Sequence, residues 1–141
     1  MFKNFFKKKE KESSNDKNIL IIALLIHAAK IDENYTEIEK KIITKAICQL
    51  YNISFNEAEK LLKLAEKKEE ESNQIVEFTQ EIKKYPMEYR LKIIEVIWKI
   101  VYSDGTNDTY ESNLIRRICG LLYISDKDNG IIKTKVQNLS K

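Results

Sequence analysis

Residues 36–54 read "TEIEKKIITKAICQLYNIS" and residues 108–125 read "DTYESNLIRRICGLLYIS". Each opens on a side-chain acceptor, Thr36 or Asp108, with a glutamate three positions on, Glu39 or Glu111. This is the spelling of a capping box, in which the first side chain accepts from the amide three residues later while the glutamate reaches back to the cap's own N–H. Behind Thr36, the apolar residues Ile38, Ile42, Ile43, Ala46, Ile47, Leu50 and Tyr51 recur at the three-four spacing of one helix face, until Asn52 ends the run. One amphipathic helix is predicted here, and its near-copy predicts a second.

Outward from this stretch the chain reads as more helices. Ser54 and Glu57 repeat the cap and open a third helix carrying Ala58, Leu61, Leu62 and Ala65, followed by a charge run over Lys67–Ser72. Upstream, a first helix from about Lys17 to Ile31 is apolar nearly all round, which places it at the centre of a bundle with His27 as a core histidine. Downstream, Ile75, Phe78, Ile82 and Tyr85 mark a short fourth helix. Pro86, whose missing N–H costs nothing in a first turn, opens a fifth with Leu91, Ile94, Ile97, Trp98 and Val101 on its core face. Gly105 ends that helix, Asp108 and Glu111 cap a sixth, and Ser125 begins a seventh. The expected fold is all-α, a single bundle of about seven helices.

Composition agrees. The chain has 141 residues, 43% hydrophobic and 33% charged, with only three glycines and one proline, so it has the material for a buried helical core and little for sheet turns. Residues 1–17 hold six lysines and three acids, leaving nineteen basic and nineteen acidic residues from Asn18 onward. A balanced folded part lacks the basic stripe that phosphate backbones require, so no nucleic-acid partner is expected. Cys48 and Cys119 lie far apart, without a CxxC, and His27 is the single histidine, which excludes the familiar zinc and disulfide frameworks and suits a reducing, cytoplasmic setting. Both cysteines are expected as small buried residues, with a redox pair as the sharper alternative. The apolar run at Ile19–Ala29 is shorter than the roughly 20 residues that span a bilayer. Glu10, Glu12 and Asp16 stand where a signal peptide carries its basic region.

Residues 1–17 are read as a flexible tail, residues 18–139 as the domain. In the tail, Phe2, Phe5 and Phe6 beside Lys3, Lys7, Lys8 and Lys9 combine apolar wedges with cations that anionic lipid attracts at about 1 kcal/mol each. Weak membrane-surface contact at the inner membrane face is the functional reading, a solvated terminus the plain one.

An offset of seventy-two residues lays Asp32 on Asp104, Thr36 on Asp108 and Glu39 on Glu111. After a one-residue gap Ile47-Cys48, Leu50 and Ile53-Ser54 fall on Ile118-Cys119, Leu121 and Ile124-Ser125. Two halves, about 18–72 and 73–139, with an internal pseudo-twofold are therefore expected. Asp32 and Glu39 in the first half, then Trp98, Asp104-Gly105, Glu111, Leu114 and Arg117 in the second, each half with its "Ile-Ser", resemble the TerB domain of tellurite-resistance systems over roughly Asn18 to Leu139. The resemblance implies an all-helical, non-catalytic module of a bacterial stress-response system, with membrane-linked protein partners of the TerC kind and acidic clusters proposed to bind divalent cations. Related domains precede J-domains in a membrane-anchored co-chaperone. Glu33 and Asn34 stand where glycine usually follows the first aspartate, which weakens a paired two-site arrangement.

The second loop offers Asp104, Asn107, Asp108 and Glu111 as oxygen donors for Ca2+ or another hard divalent cation, with Asp32 and Glu39 as a weaker first-half equivalent. The spacing is not that of an EF-hand, and capping by Asp108 and Glu111 explains the same residues without a ligand. A protein-interaction module tuned by a cation is the expected function and a peripheral membrane adaptor the alternative. A metal-dependent hydrolase on Asp104, Asp108 and Glu111 ranks last, because no nucleophile, phosphate loop or histidine is placed near those carboxylates.

Overall fold

In the computed structural model, residues 18–30, 35–72, 74–103 and 109–139 are described, with side chains throughout except at 109–112. Helix α1 spans 18–29 and closes in a single 3-10 residue, Lys30. Ile21, Ile22, Ala23, Leu24, Leu25 and Ile26 are all 0% exposed. A helix covered on one side alone buries only every third or fourth residue, so six in succession require neighbours around the whole circumference. The central position expected of α1 is what the fold shows.

The remaining helices are α2 (Glu37–Tyr51), α3 (Phe55–Glu71), α4 (Val76–Ile82), α5 (Met87–Tyr102), α6 (Thr109–Leu121) and α7 (Asp126–Leu139), and no strand occurs among the described residues. Helix α5 packs against α7, α2 and α6, while α3 lies on α2 and α4 on α6. Buried apolar side chains from Ile21 in α1 to Val136 in α7 form one cluster. The charge run at Lys67–Ser72 continues α3 to Glu71 instead of leaving it. Pro86 stands just before the first turn of α5, at φ −54° and ψ 149°, and its missing N–H falls where no helical bond would form.

Asp108 and the Glu111 side chain lie outside the described residues; of the other caps, Thr36 and Glu39 form the full reciprocal box, and Ser54 and Ser125 each accept a single amide. Thr36 Oγ1 accepts from the Glu39 amide at 3.2 Å, and Glu39 Oε1 accepts from the Thr36 amide at 2.9 Å and its hydroxyl at 3.0 Å. Ser54 accepts from the Glu57 amide at 3.3 Å, and Ser125 from the Asp128 amide at 3.1 Å. Helix ends match as well: Asn52 and Tyr123 both take left-handed backbone, at φ 53° and 57°. The amide that follows each donates back into the helix, Ile53 to the Cys48 carbonyl at 3.3 Å and Ile124 to the Cys119 carbonyl at 2.8 Å. These stops sit at positions that the sequence repeat equates.

Three expectations about the core need correction. Ile38 is 61% exposed, because the inward stripe of α2 is Glu39, Ile43, Ala46 and Ile47, one position round the helix. Leu91 is half-buried, and α5 buries Ile93, Val96 and Ile100 in addition to its expected face, since it is covered by three helices. Cys119 is buried but Cys48 only half so, and both thiols are free.

Candidate functional site

The first acidic loop leaves α1 at Lys30 and enters α2 at Thr36, and the described side chains beside it form a polar cluster. Lys30 Nζ donates to Glu69 Oε2 at 2.7 Å, and His27 Nδ1 lies 3.3 Å from Glu69 Oε1. Glu69 is 10% exposed against 31% for Lys30 and 35% for His27, so one nearly buried carboxylate on α3 gathers two groups from the last turn of α1. His27 is thus no core histidine. Its ring points off the buried side of α1, toward an acid that belongs to the charge run.

Tyr35 sits over this cluster. The ammonium of Lys40 lies 5.0 Å from its ring centroid and that of Lys30 5.9 Å, within cation–π range. Its hydroxyl is buried and makes no hydrogen bond among the described residues. Burial first, then the charges of Glu66, Glu39, Glu37 and Glu69, push the Tyr35 phenol well above its ordinary range, so it stays neutral. The surroundings of the first loop are accordingly acidic, offset by Lys30 and Lys40.

Around the end of α5 the arrangement is aromatic. Trp98 is buried, as the sequence suggests, yet its indole N–H donates to Asn129 Oδ1 of α7 at 2.9 Å. Tyr102 stacks on it with centroids 5.7 Å apart, and Lys133 Nζ lies 5.2 Å from the Trp98 ring. Arg90, at the start of α5, donates through Nε to the Tyr85 carbonyl at 2.9 Å and through Nη1 to the Leu122 carbonyl, pinning the end of α6. These contacts fix where the helices on either side of the second loop stand.

The cation reading concerns Asp104, Asn107, Asp108 and Glu111, with Asp32 and Glu39. Asp32, Asp104, Asn107 and Asp108 lie outside the described residues, as does the side chain of Glu111, and so do the tail residues Phe2 to Lys9. Glu39 is described, 5% exposed, with one carboxylate oxygen engaged by the cap. Among the described residues no group of three or more His, Cys, Asp or Glu side chains is placed to hold a metal ion. Burial, reinforced by the charge of Asp126, pushes the Cys119 thiol up to about 12, which leaves it protonated and unreactive at neutral pH. No described helix is long and apolar enough to cross a membrane.

Sequence reasoning missed Glu69, Lys30 and Tyr35 as a unit. Glu69 is 39 residues from Lys30 and 42 from His27, and no local spacing encodes such a pair. Its one signal is a glutamate on the otherwise inward side of a charged run.

Comparison with known proteins gives one family: a model described as tellurite resistance protein TerB matches residues 18–134. No curated protein and no solved structure matches the chain.

Proposed function

The chain belongs to the TerB family, and from that premise we propose that it is a non-enzymatic protein-interaction module of a bacterial stress-response system of the tellurite-resistance type. The observation that carries the reading is the extent of the match, which takes in both acidic loops and the helices that flank them. Its partner is a membrane-linked protein of the TerC kind, met at the cytoplasmic face of the inner membrane, and a divalent cation at Asp104, Asn107, Asp108 and Glu111 tunes the contact. Supporting this are the side chains beside the first loop, which are engaged in structural bonds: Glu39 in a cap and Glu69 with Lys30 and His27. Phe2, Phe5, Phe6 and the neighbouring lysines add weak attraction to anionic lipid.

Two experiments test it. Crosslinking in the native cells, followed by purification of the chain, is expected to retain a discrete membrane-linked partner; recovery of the chain alone would overturn the interaction reading. Calcium and magnesium titrations followed by amide NMR are expected to shift Gly105 through Glu111 saturably, with the shifts abolished by Asp104→Asn. Amides that stay still up to millimolar ion remove the cation from the proposal and leave the loop as a helix cap.

A further inference from the structure

A groove runs between α2 and α5, walled by Ile42, Lys45 and Ala46 on one side and Lys92, Val96 and Lys99 on the other. Its floor is apolar, since Ala46 and Val96 are 6% and 7% exposed and belong to the core. Its rim is cationic: Lys45, Lys92 and Lys99 are exposed, and none has a carboxylate partner among the described residues. The acid on the same wall, Glu95, is engaged by Lys135 of α7 at 2.8 Å, which takes its charge to the far flank of α5.

From Asn18 onward the chain carries equal numbers of basic and acidic residues, so three uncompensated lysines around one groove represent segregation, not excess. Near the end of α3, by contrast, acids and lysines are interleaved as Glu66, Lys67, Lys68, Glu69, Glu70 and Glu71, with Glu69 held by Lys30. Lys92 and Lys99 are seven residues apart, two turns of α5 and about 10 Å along its axis, which is also the spacing of i and i+7 carboxylates on a helix laid alongside. Ile38, 61% exposed and one turn before Ile42 on the same stripe of α2, extends the apolar track beyond the lysines. Ile38 itself is left outside by the fold, because α2 turns Glu39 and Ile43 inward in its place.

We propose that this groove docks an acidic, amphipathic peptide segment of a protein partner, with carboxylates on Lys45, Lys92 and Lys99 and apolar side chains on the Ala46 and Val96 floor. The proposal rests on the reading of the chain as a protein-interaction module and assigns that module its surface and its partner's chemistry. A peptide suits the groove better than a nucleic acid: the floor is apolar, and no arginine lines the rim to fork onto phosphate.

The test uses the full chain and a fluorescent synthetic helical peptide, about four turns long, with glutamates on one face and leucines on the other. Matched probes are the same peptide with lysine for glutamate, and a single-stranded DNA oligonucleotide. Saturable binding of the glutamate peptide is expected, with amide shifts along the facing sides of α2 and α5, no binding of the lysine peptide, and at least a tenfold loss in the triple variant Lys45→Glu, Lys92→Glu, Lys99→Glu. The three positions are exposed, so the variant is expected to fold, which circular dichroism will check before binding is measured. Reversing Lys60, Lys63 and Lys127, exposed elsewhere, is expected to change affinity less than twofold. Equal loss in both variants, displacement of the peptide by the DNA, or no saturable binding at millimolar peptide would overturn the assignment. The crosslinked partner separates this from the broader reading: a complex that survives the triple reversal defeats the groove and keeps the module.

Discussion

Tyr123 and Asn52 do one job with unequal side chains. Both end a helix in left-handed backbone, a region Asn tolerates and a bulky aromatic adopts at a cost of about 1–2 kcal/mol. Tyr123 recovers part of that through Lys83, whose ammonium lies 5.8 Å from its ring, an exposed contact worth about 0.5 kcal/mol. Tyr123→Gly should therefore raise stability by about 0.5–1 kcal/mol, and Asn52→Ala should lower it by about 1 kcal/mol, both read from urea unfolding. Cys119 gives a pH prediction. Its folded pKa of about 12 lies above the ordinary 9.0, so the folded state holds the proton more tightly. This contribution is intact below pH 9 and is lost as pH rises toward 12. Melting temperature should fall across that window and fall less steeply in Cys119→Ala. At pH 8, iodoacetamide should alkylate half-exposed Cys48 while sparing Cys119 until the chain unfolds.

At the scale of the helix, the two described N-caps at the ends of the α1–α2 and α2–α3 turns differ in what they hold. Thr36 belongs to a reciprocal box with a buried Glu39, whereas Ser54 makes one exposed bond to the Glu57 amide. Thr36→Ala should cost about 1–2 kcal/mol and Ser54→Ala about 0.5–1 kcal/mol, a ranking that thermal melts of the two variants will check. Caps of this kind were legible because their partners are three residues apart. Periodicity was legible too, but only to within one helix position: the apolar residues of α2 fit two adjacent stripes, and it was the inward turn of Glu39 that left Ile38 outside. The Glu69 cluster was not legible, since α1 and α3 meet there across some forty residues and the acid looked like one more solvated charge. The groove between α2 and α5 was hidden for the same reason. Lys45, Lys92 and Lys99 belong to two helices whose register against each other no local pattern states.

The described residues share one core, which reaches from α1 to α7. Removing side-chain volume at its centre should therefore be felt everywhere at once. Leu24→Ala is expected to cost about 2–5 kcal/mol and to leave a single transition, coincident by far-ultraviolet circular dichroism and Trp98 fluorescence; two separated transitions would show that the ends of the chain unfold independently. The same architecture has a consequence in time. Helix α1 leaves the ribosome before the other described helices, and its six fully covered residues, Ile21 to Ile26, then wait for core partners as late in the chain as Val136. At about 5–20 residues per second that delay is on the order of 5–20 s, during which the stickiest segment of the protein is bare. Aggregation is therefore expected to threaten the nascent chain more than the finished fold.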